Sequence, residues 1–278
     1  MGMGLNPQWL AALRASNQQA PTRPRLPLLA GDTVIGSVEP DFLSKIRLQP
    51  IPDGRKQLSK EEHSGGLAWR LLGEPTAALG ALALALRDAG LAHAWRDEQL
   101  AVADAQGRRI GSVERAVVRV LGITTAAVHL VGQAEDGRFW VQQRAWNKSN
   151  DPGMWDTLMG GMISGTDTLA SALERETWEE AGLRLEELQS IVRGGYVDIR
   201  RPCDDGHGAG YVIERIDWYH CTVPDGVMPV NQDGEVEKFV LMDSGEMIAK
   251  MHANEFTSEA ALIQAALLEV GPGMSSRT

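Results

Sequence analysis

The sequence predicts an α/β chain in two unequal parts: a smaller α+β domain over residues 1–115, then a sheet sandwiched by helices over residues 116–278. Three observations lead there. First, charge is divided unevenly. The 278 residues carry 27 Lys+Arg and 37 Asp+Glu, a formal net charge of −10, yet residues 1–115 hold 14 basic and 12 acidic side chains, so the second part holds the whole surplus of carboxylates. Second, strand and helix patterns are mixed along that second part. Third, a pentapeptide of the first part, Ile35-Gly-Ser-Val-Glu39, recurs as Ile110-Gly-Ser-Val-Glu114. Each copy follows a turn and precedes a stretch of helical character, which predicts one hairpin-plus-helix unit used twice.

Element by element, Pro7 to Ala15 reads as a short helix, followed by a connector with Pro21, Pro24 and Pro27. Leu28 to Val38 is extended, broken by the turn Gly31-Asp32. Residues 49–66, with Pro50, Pro52, Gly54, Gly65 and Gly66, read as loop. Thr76 to Gly90 is rich in Ala and Leu, with Pro75 before it and Gly90 as a stop, and reads as helix. In the second part, Thr124 to Val131 and Arg138 to Gln143 flank Asp136-Gly137, a hairpin signal. A polar loop (146–152) and a Gly-rich segment lead to a helix from Leu169 to Ala181. Strands follow at Ile191–Asp198, Tyr211–Val223 and Glu237–Met242, then a helix from Ser258 to Val270 capped by Thr257 or Ser258.

Composition bounds the function. With 43% hydrophobic and 23% charged residues the chain is of ordinary globular type. An acidic balance argues against nucleic-acid and anionic-membrane partners, which call for basic patches. The longest apolar run, Ala77 to Leu86, is too short for a bilayer, which takes ~20 residues. Cys203 and Cys221 are too few for a disulfide framework and lack metal-ligand spacing. The N-terminus shows no secretory pattern. A soluble, cytoplasmic protein is expected, with a homodimer left open.

The chemistry is concentrated in residues 161–183. Thr168 is placed to cap the helix and Gly182 to end it in a left-handed conformation. Leu169, Ala170, Leu173, Thr177 and Ala181 form one apolar stripe. Glu176, Glu179 and Glu180, at i, i+3 and i+4, share the neighbouring stripe. Three carboxylates so close repel one another, and the arrangement becomes favourable when a hard cation such as Mg²⁺ or Mn²⁺ binds. Gly160 and Gly161 let the backbone approach that face, where a carbonyl adds a ligand. Arg175 stands ready to pair with an acid of the incoming loop, Asp167.

These residues resemble the Nudix box: Gly161, Arg175, Glu176, Glu179, Glu180, Gly182 and Leu183 match, with Asp167 where Glu is usual and Thr177 where an aliphatic is usual. The wider resemblance covers about residues 120–270. It implies an α/β/α sandwich with a mixed sheet and metal-dependent hydrolysis of a diphosphate linked to another group, with Mg²⁺ or Mn²⁺ as cofactor. Carried over by position, Glu176, Glu179 and Glu180 are the implied metal ligands and the Gly160 carbonyl a lesser one. Gly161, Asp167, Arg175 and Gly182 are implied to be structural. For the base that takes a proton from water, Glu180 and an acid beyond the box both qualify. Asp233-Gly-Glu-Val-Glu237 sits at a turn entering a strand, where many Nudix enzymes bring a further Glu to the metals. Alternation puts Glu235 and Glu237 on one face; Glu235 is favoured as nearer the loop.

A narrower resemblance joins Arg144-Ala-Trp-Asn-Lys148, Asp151-Pro-Gly-Met-Trp-Asp156, Asn231 to Glu237 and Gly36-Ser-Val-Glu-Pro40 to the thiamine-pyrophosphokinase-related Nudix proteins, which carry an extra N-terminal domain. It implies a small-molecule substrate like thiamine diphosphate or an oxidised relative. Arg144 and Lys148 are candidate diphosphate contacts, and Trp155 a candidate platform for an aromatic ring. His129, inside an apolar strand, reads as a satisfied core histidine. Two other readings stand beside this one: a ligand-sensing Nudix module without catalysis, and an isopentenyl-diphosphate isomerase. The isomerase needs a Cys between the Arg…Lys loop and the box, and residues 149–160 contain none.

Overall fold

The computed structural model describes residues 4–270. Helix α1 (Pro7–Ser16) starts where Asn6 Oδ1 accepts from the N–H groups of Gln8 and Trp9 at 2.9 and 3.2 Å, with Pro7 at a position that needs no donor. Strands β1 (Leu26–Ala30) and β2 (Thr33–Val38) form the expected hairpin about Gly31-Asp32.

The expected loop 49–66 is corrected in its second half. Strand β3 (Leu58–His63) pairs antiparallel with β4 (Gly66–Leu71). Ser64 and Gly65, both at positive φ (50° and 79°), make the two-residue turn between them. β3 is a polar edge strand, so it shows no apolar alternation. The sheet order is β2-β1-β4-β3, with β1 and β4 parallel. Helix α2 (Pro75–Asp88), capped by Glu74, covers it through Leu79, Leu82 and Leu86. A second hairpin follows, β5 (Gln99–Ala103) and β6 (Arg109–Glu114).

The two pentapeptides thus lie on the return strands of two hairpins. Short 3-10 turns, Phe42–Lys45 and Arg115–Val117, stand where helices were expected. The shared glycine has a packing reason in both copies: a Cβ on Gly36 would lie 2.4 Å from the Leu121 carbonyl oxygen, and one on Gly111 2.9 Å from Thr76 Oγ1. Val117, Val120, Leu121 and Ile123 complete this first core.

The second sheet runs β11 (Gln189–Cys203), β12 (Gly210–Val223), β7 (Thr125–Ala134), β8 (Phe139–Arg144), β13 (Val236–Met242). β9 (Trp155–Asp156) pairs with β8 and β10 (Met159–Met162) with β7. β12 and β7 are parallel and the remaining pairs antiparallel, so the sheet is mixed. A tight turn, α4 (Asp205–Gly208), left-handed at Gly206 and His207 (φ 61° at both), links β11 to β12. Helix α3 (Leu169–Ala181) packs on one face, where Val128 and Leu130 meet Ala172, Leu173 and Ala181. Ala170 faces solvent and Ala172 takes the place expected for it. Thr177 is tolerated in this core because its hydroxyl donates to the Leu173 carbonyl at 2.6 Å.

On the opposite face lie α5 (Ser244–His252), which the sequence reading did not anticipate, and α6 (Ser258–Val270). There Ala127, Val131 and Val141 meet Met247 and Ile263, and Leu10 of α1 joins them. Helices on both faces make this part an α/β/α sandwich. No helix among the described residues is long and apolar enough to cross a membrane.

Candidate active site

The capping box of Thr168 and Ser171 starts α3, and Gly182 (φ 61°) ends it. Arg175 is the hub of the helix's polar face. Its Nε and Nη2 donate to Asp167 Oδ2 at 3.1 and 2.6 Å, its Nη1 lies 2.8 Å from both Glu176 Oε1 and Glu179 Oε2, and its Nη2 reaches the Met162 carbonyl at 3.3 Å. The shorter Asp167 therefore still makes the expected pair. Burial alone would pull the Arg175 pKa down; the three surrounding carboxylates outweigh it and raise it.

The two glycines of β10 are required by space. A Cβ on Gly161 would sit 2.0 Å from Glu176 Cδ, and one on Gly160 2.4 Å from His129 Cε1. Glu180 is buried, with Oε2 accepting from the Gly160 N–H at 2.9 Å and from Gln142 Nε2 at 2.8 Å. Burial pushes its carboxyl pKa up to about 8 despite those donors, and pushes that of Glu176 up to about 7 against the pull of Arg175.

The end of α3 also positions a fourth acid. Val230 N–H donates to the Ala181 carbonyl at 2.7 Å and Gln232 N–H to that of Glu179 at 3.3 Å, tying the following loop to the helix. Asn231 Oδ1 folds that loop by accepting from Asp233 and Gly234 N–H. Glu235 then points into the same cavity as the helix carboxylates, paired with Lys148. Burial raises the Glu235 pKa, but the Lys148 ammonium more than offsets this and holds it below the usual carboxylate range.

The cavity has a volume of about 320 Å³. The structure brings to it Gly160, Gly161, Arg175, Glu176, Glu179, Glu180 and Glu235, together with Arg144 at the end of β8 and Lys148 on the loop after it. Arg144 is held there by Asp156 at 3.4 Å and the Asn150 carbonyl at 3.2 Å.

Two expectations, Trp155 and Glu237, are corrected, and a third, His129, is met and extended. Trp155 is a core residue, 8% exposed, its ring centroid 5.5 Å from Lys238 Nζ and 5.6 Å from Lys250 Nζ and its backbone bridged to Phe256, and it does not line the cavity. Glu237 is exposed on β13 and does not line the cavity; a register irregularity between Val236 and Lys238 breaks the alternation that would align it with Glu235. His129 is buried, as expected, with Nδ1 2.9 Å from Thr157 Oγ1, yet its ring also lines the cavity against Gly160.

Several wall residues gave no motif signal. Glu98, Arg115 and Arg119 arrive from the first part of the chain; Gln142, buried on β8 and not part of the lining, donates to Glu180. Neither Cys203 nor Cys221 lines the cavity.

The donor set suits a hard divalent cation. It is dominated by carboxylates, two of them carrying charge that burial disfavours. Among the described residues, however, no three His, Cys, Asp or Glu side chains converge on one coordination point. Arg175 and Lys148 hold the carboxylate oxygens that a cation would take, so binding requires those pairs to loosen.

Known proteins resemble the second part of this chain. A family model described as the NUDIX domain matches residues 123–262. Nudix hydrolase 20, chloroplastic, of Arabidopsis thaliana is 30% identical over 151 residues, covering 52% of this chain and 38% of its own. Nudix hydrolase 24, chloroplastic, of the same plant is 28% identical over 155 residues, covering 54% and 40%. The chain therefore spans well under two thirds of the length of these relatives. Among solved structures, DR0079 from Deinococcus radiodurans shares 17% identity at a TM-score of 0.45, over 57% of this chain and 91% of that one.

Proposed function

The chain belongs to the Nudix family, and from that premise we propose that it hydrolyses a diphosphate bond in a small organic diphosphate, with Mg²⁺ or Mn²⁺ as cofactor. One observation carries the reading: the carboxylates of Glu176, Glu179 and Glu180 open into the same cavity as Glu235 and the cations Arg144 and Lys148. In this reading the three helix glutamates, with the Gly160 carbonyl, hold the metal. A divalent ion held by these residues would supply charge neutralisation for the diphosphate and acidification of the attacking water.

The chain's own groups do the rest. Arg175 holds the carboxylate face together. Arg144 and Lys148 bind diphosphate oxygens, an exchange that frees Glu235 from Lys148. Glu235 or Glu180 accepts the water's proton. The division into two domains near residue 115 belongs to the same proposal, with the first domain closing the cavity through Glu98 and Arg115. So does a cytoplasmic location, which suits two free thiols.

The test is a panel assay with Mg²⁺ or Mn²⁺ that resolves phosphate from monophosphate products. Its substrates are thiamine diphosphate and its oxidised relatives, nucleoside diphosphate sugars and dinucleotides. Turnover is expected on at least one class and is lost in Glu179→Gln and Glu180→Gln; unchanged turnover in both variants refutes the site assignment. Tight binding without product in the presence of metal identifies a sensor instead.

A further inference from the structure

Glu180 offers the cavity one oxygen and withholds the other. Its Oε2 accepts from the Gly160 N–H at 2.9 Å and from Gln142 Nε2 at 2.8 Å. A carboxylate oxygen has two lone-pair sites, so these two donors fill it. Its Oε1 has no protein partner among the described residues and is not closed off from solvent, and Glu180 lines the cavity. Oε1 is thus the oxygen that faces the cavity.

Packing does not explain Gln142. Its backbone is fixed between Asp156 on β9 and Phe239 on β13, and the residue is 1% exposed. Its own Oε1 is buried without a partner. An unpaired buried amide oxygen is a standing loss of stability, and a methionine would fill the same space without it. Among the described residues the one hydrogen bond of this side chain is the one to Glu180. That bond controls how many oxygens Glu180 can give. Ca²⁺ takes about six to eight oxygens at about 2.3–2.6 Å and readily accepts both oxygens of one carboxylate. Mg²⁺ demands a near-regular octahedron at about 2.0–2.1 Å, and the two oxygens of one carboxylate lie too close together to span an edge of it.

We propose that Gln142 is a positioning residue that makes Glu180 a one-oxygen ligand, and that the cavity thereby takes Mg²⁺ or Mn²⁺ in preference to Ca²⁺. The Gly160 N–H alone would leave one lone-pair site of Oε2 free, and Glu180 could then turn and present both oxygens. The proposal rests on the metal-binding reading of Glu176, Glu179 and Glu180 above and does not depend on which diphosphate is cut.

The experiment titrates the full chain with Mn²⁺ in the absence of substrate, read by electron paramagnetic resonance, and displaces the ion with Mg²⁺ and with Ca²⁺. The native chain, Gln142→Met, Gln142→Asn and Gln264→Met are compared, and turnover with Mn²⁺ on the substrate panel is read separately. Methionine keeps the length without the donor; asparagine keeps the amide but falls a methylene short of Glu180. Gln264 is the control, a buried amide on α6 whose side-chain atoms also lack partners and which does not line the cavity. Loss of a group that orients a metal ligand costs about 10–100-fold in affinity, so the ratio of Ca²⁺ to Mg²⁺ dissociation constants is expected to fall about fivefold or more in both Gln142 variants and to stay within about twofold in Gln264→Met. A ratio unmoved or raised in both Gln142 variants, or moved equally in Gln264→Met, overturns the proposal, while Mn²⁺-dependent turnover leaves the hydrolase reading standing. Loss of folding in both Gln142 variants, read by thermal melts, overturns it too, since the amide is then structural. The expected shift without turnover on any substrate keeps the role of Gln142 and overturns the hydrolase. Failure of the native chain to bind Mn²⁺ overturns both.

Discussion

Two neighbouring glycines of β10 answer to different constraints, and alanine at each separates them. At Gly160 the new methyl would meet three atoms of the His129 ring, at 2.4, 2.7 and 2.7 Å. That ring is rigid, buried and held by Thr157, and the Gly160 backbone is paired to β7, so neither side yields easily. Overpacking of this kind costs about 1–3 kcal/mol. At roughly 2–4 °C per kcal/mol for a chain of this size, Gly160→Ala is expected to melt several degrees lower.

At Gly161 the methyl would meet the end of a flexible side chain, Glu176, with Cδ at 2.0 Å and Oε2 at 2.2 Å. Ordinary contact is about 3.5–4.0 Å, so the carboxylate must retreat by roughly 1.5 Å. Turning a side chain off its preferred rotamer costs about 0.5–1.5 kcal/mol, but a displacement of this size at a reacting centre costs on the order of 100-fold in rate. Gly161→Ala is therefore expected to melt within a few degrees of the native chain while Mg²⁺ affinity and turnover fall at least tenfold. Differential scanning fluorimetry, metal titration and the panel assay read the two effects. Equal melting losses at both positions, or unchanged metal affinity in Gly161→Ala, would refute the reasoning.

Three further outcomes are expected. Glu235→Gln reduces kcat by about 10²-fold or more if Glu235 is the base, whereas Glu237→Gln, on an exposed strand position, stays within about twofold; the reverse order would return the role to Glu237. Leu10→Ala, which empties a site in the second core, costs about 2–5 kcal/mol on chemical denaturation, and a loss below about 0.5 kcal/mol would show that α1 adds nothing there. Because burial pushes the Cys221 thiol up to about 12 and raises that of Cys203 as well, thiolate is scarce at pH 8 in both. Native protein should react slowly with a disulfide reagent and rapidly once unfolded; fast labelling of either thiol in the native state would contradict this.

The parts of the site that were legible in the sequence are those whose geometry is local. Helix α3 begins and ends where Thr168 and Gly182 place it, and the spacing of three glutamates fixes their shared face. Glu235 was legible because a turn signal stands next to a strand. What could not be read depends on partners distant along the chain. Gln142 reaches Glu180 only because β8 and β10 both pair with β7 in one sheet, and Trp155 is drawn inward by a bridge to Phe256 that no local pattern announces. Strand β3 escaped notice because an edge strand facing water needs no apolar period. The far wall of the cavity, with Glu98, Arg115 and Arg119, required knowing how two cores pack.

Helix α1 lies on α6, with Leu10 in the shared core and Arg14 Nη2 2.5 Å from Glu269 Oε2, across 255 positions of sequence. At synthesis rates of about 5–20 residues per second, α1 waits on the order of ten seconds to a minute for the surface that receives it. The first core can close earlier, since all of its residues but Ala209 precede residue 124. The sandwich is thus finished by the docking of α1 on α6, and its folding rate should answer to that distant contact more than to the helix that carries the carboxylates.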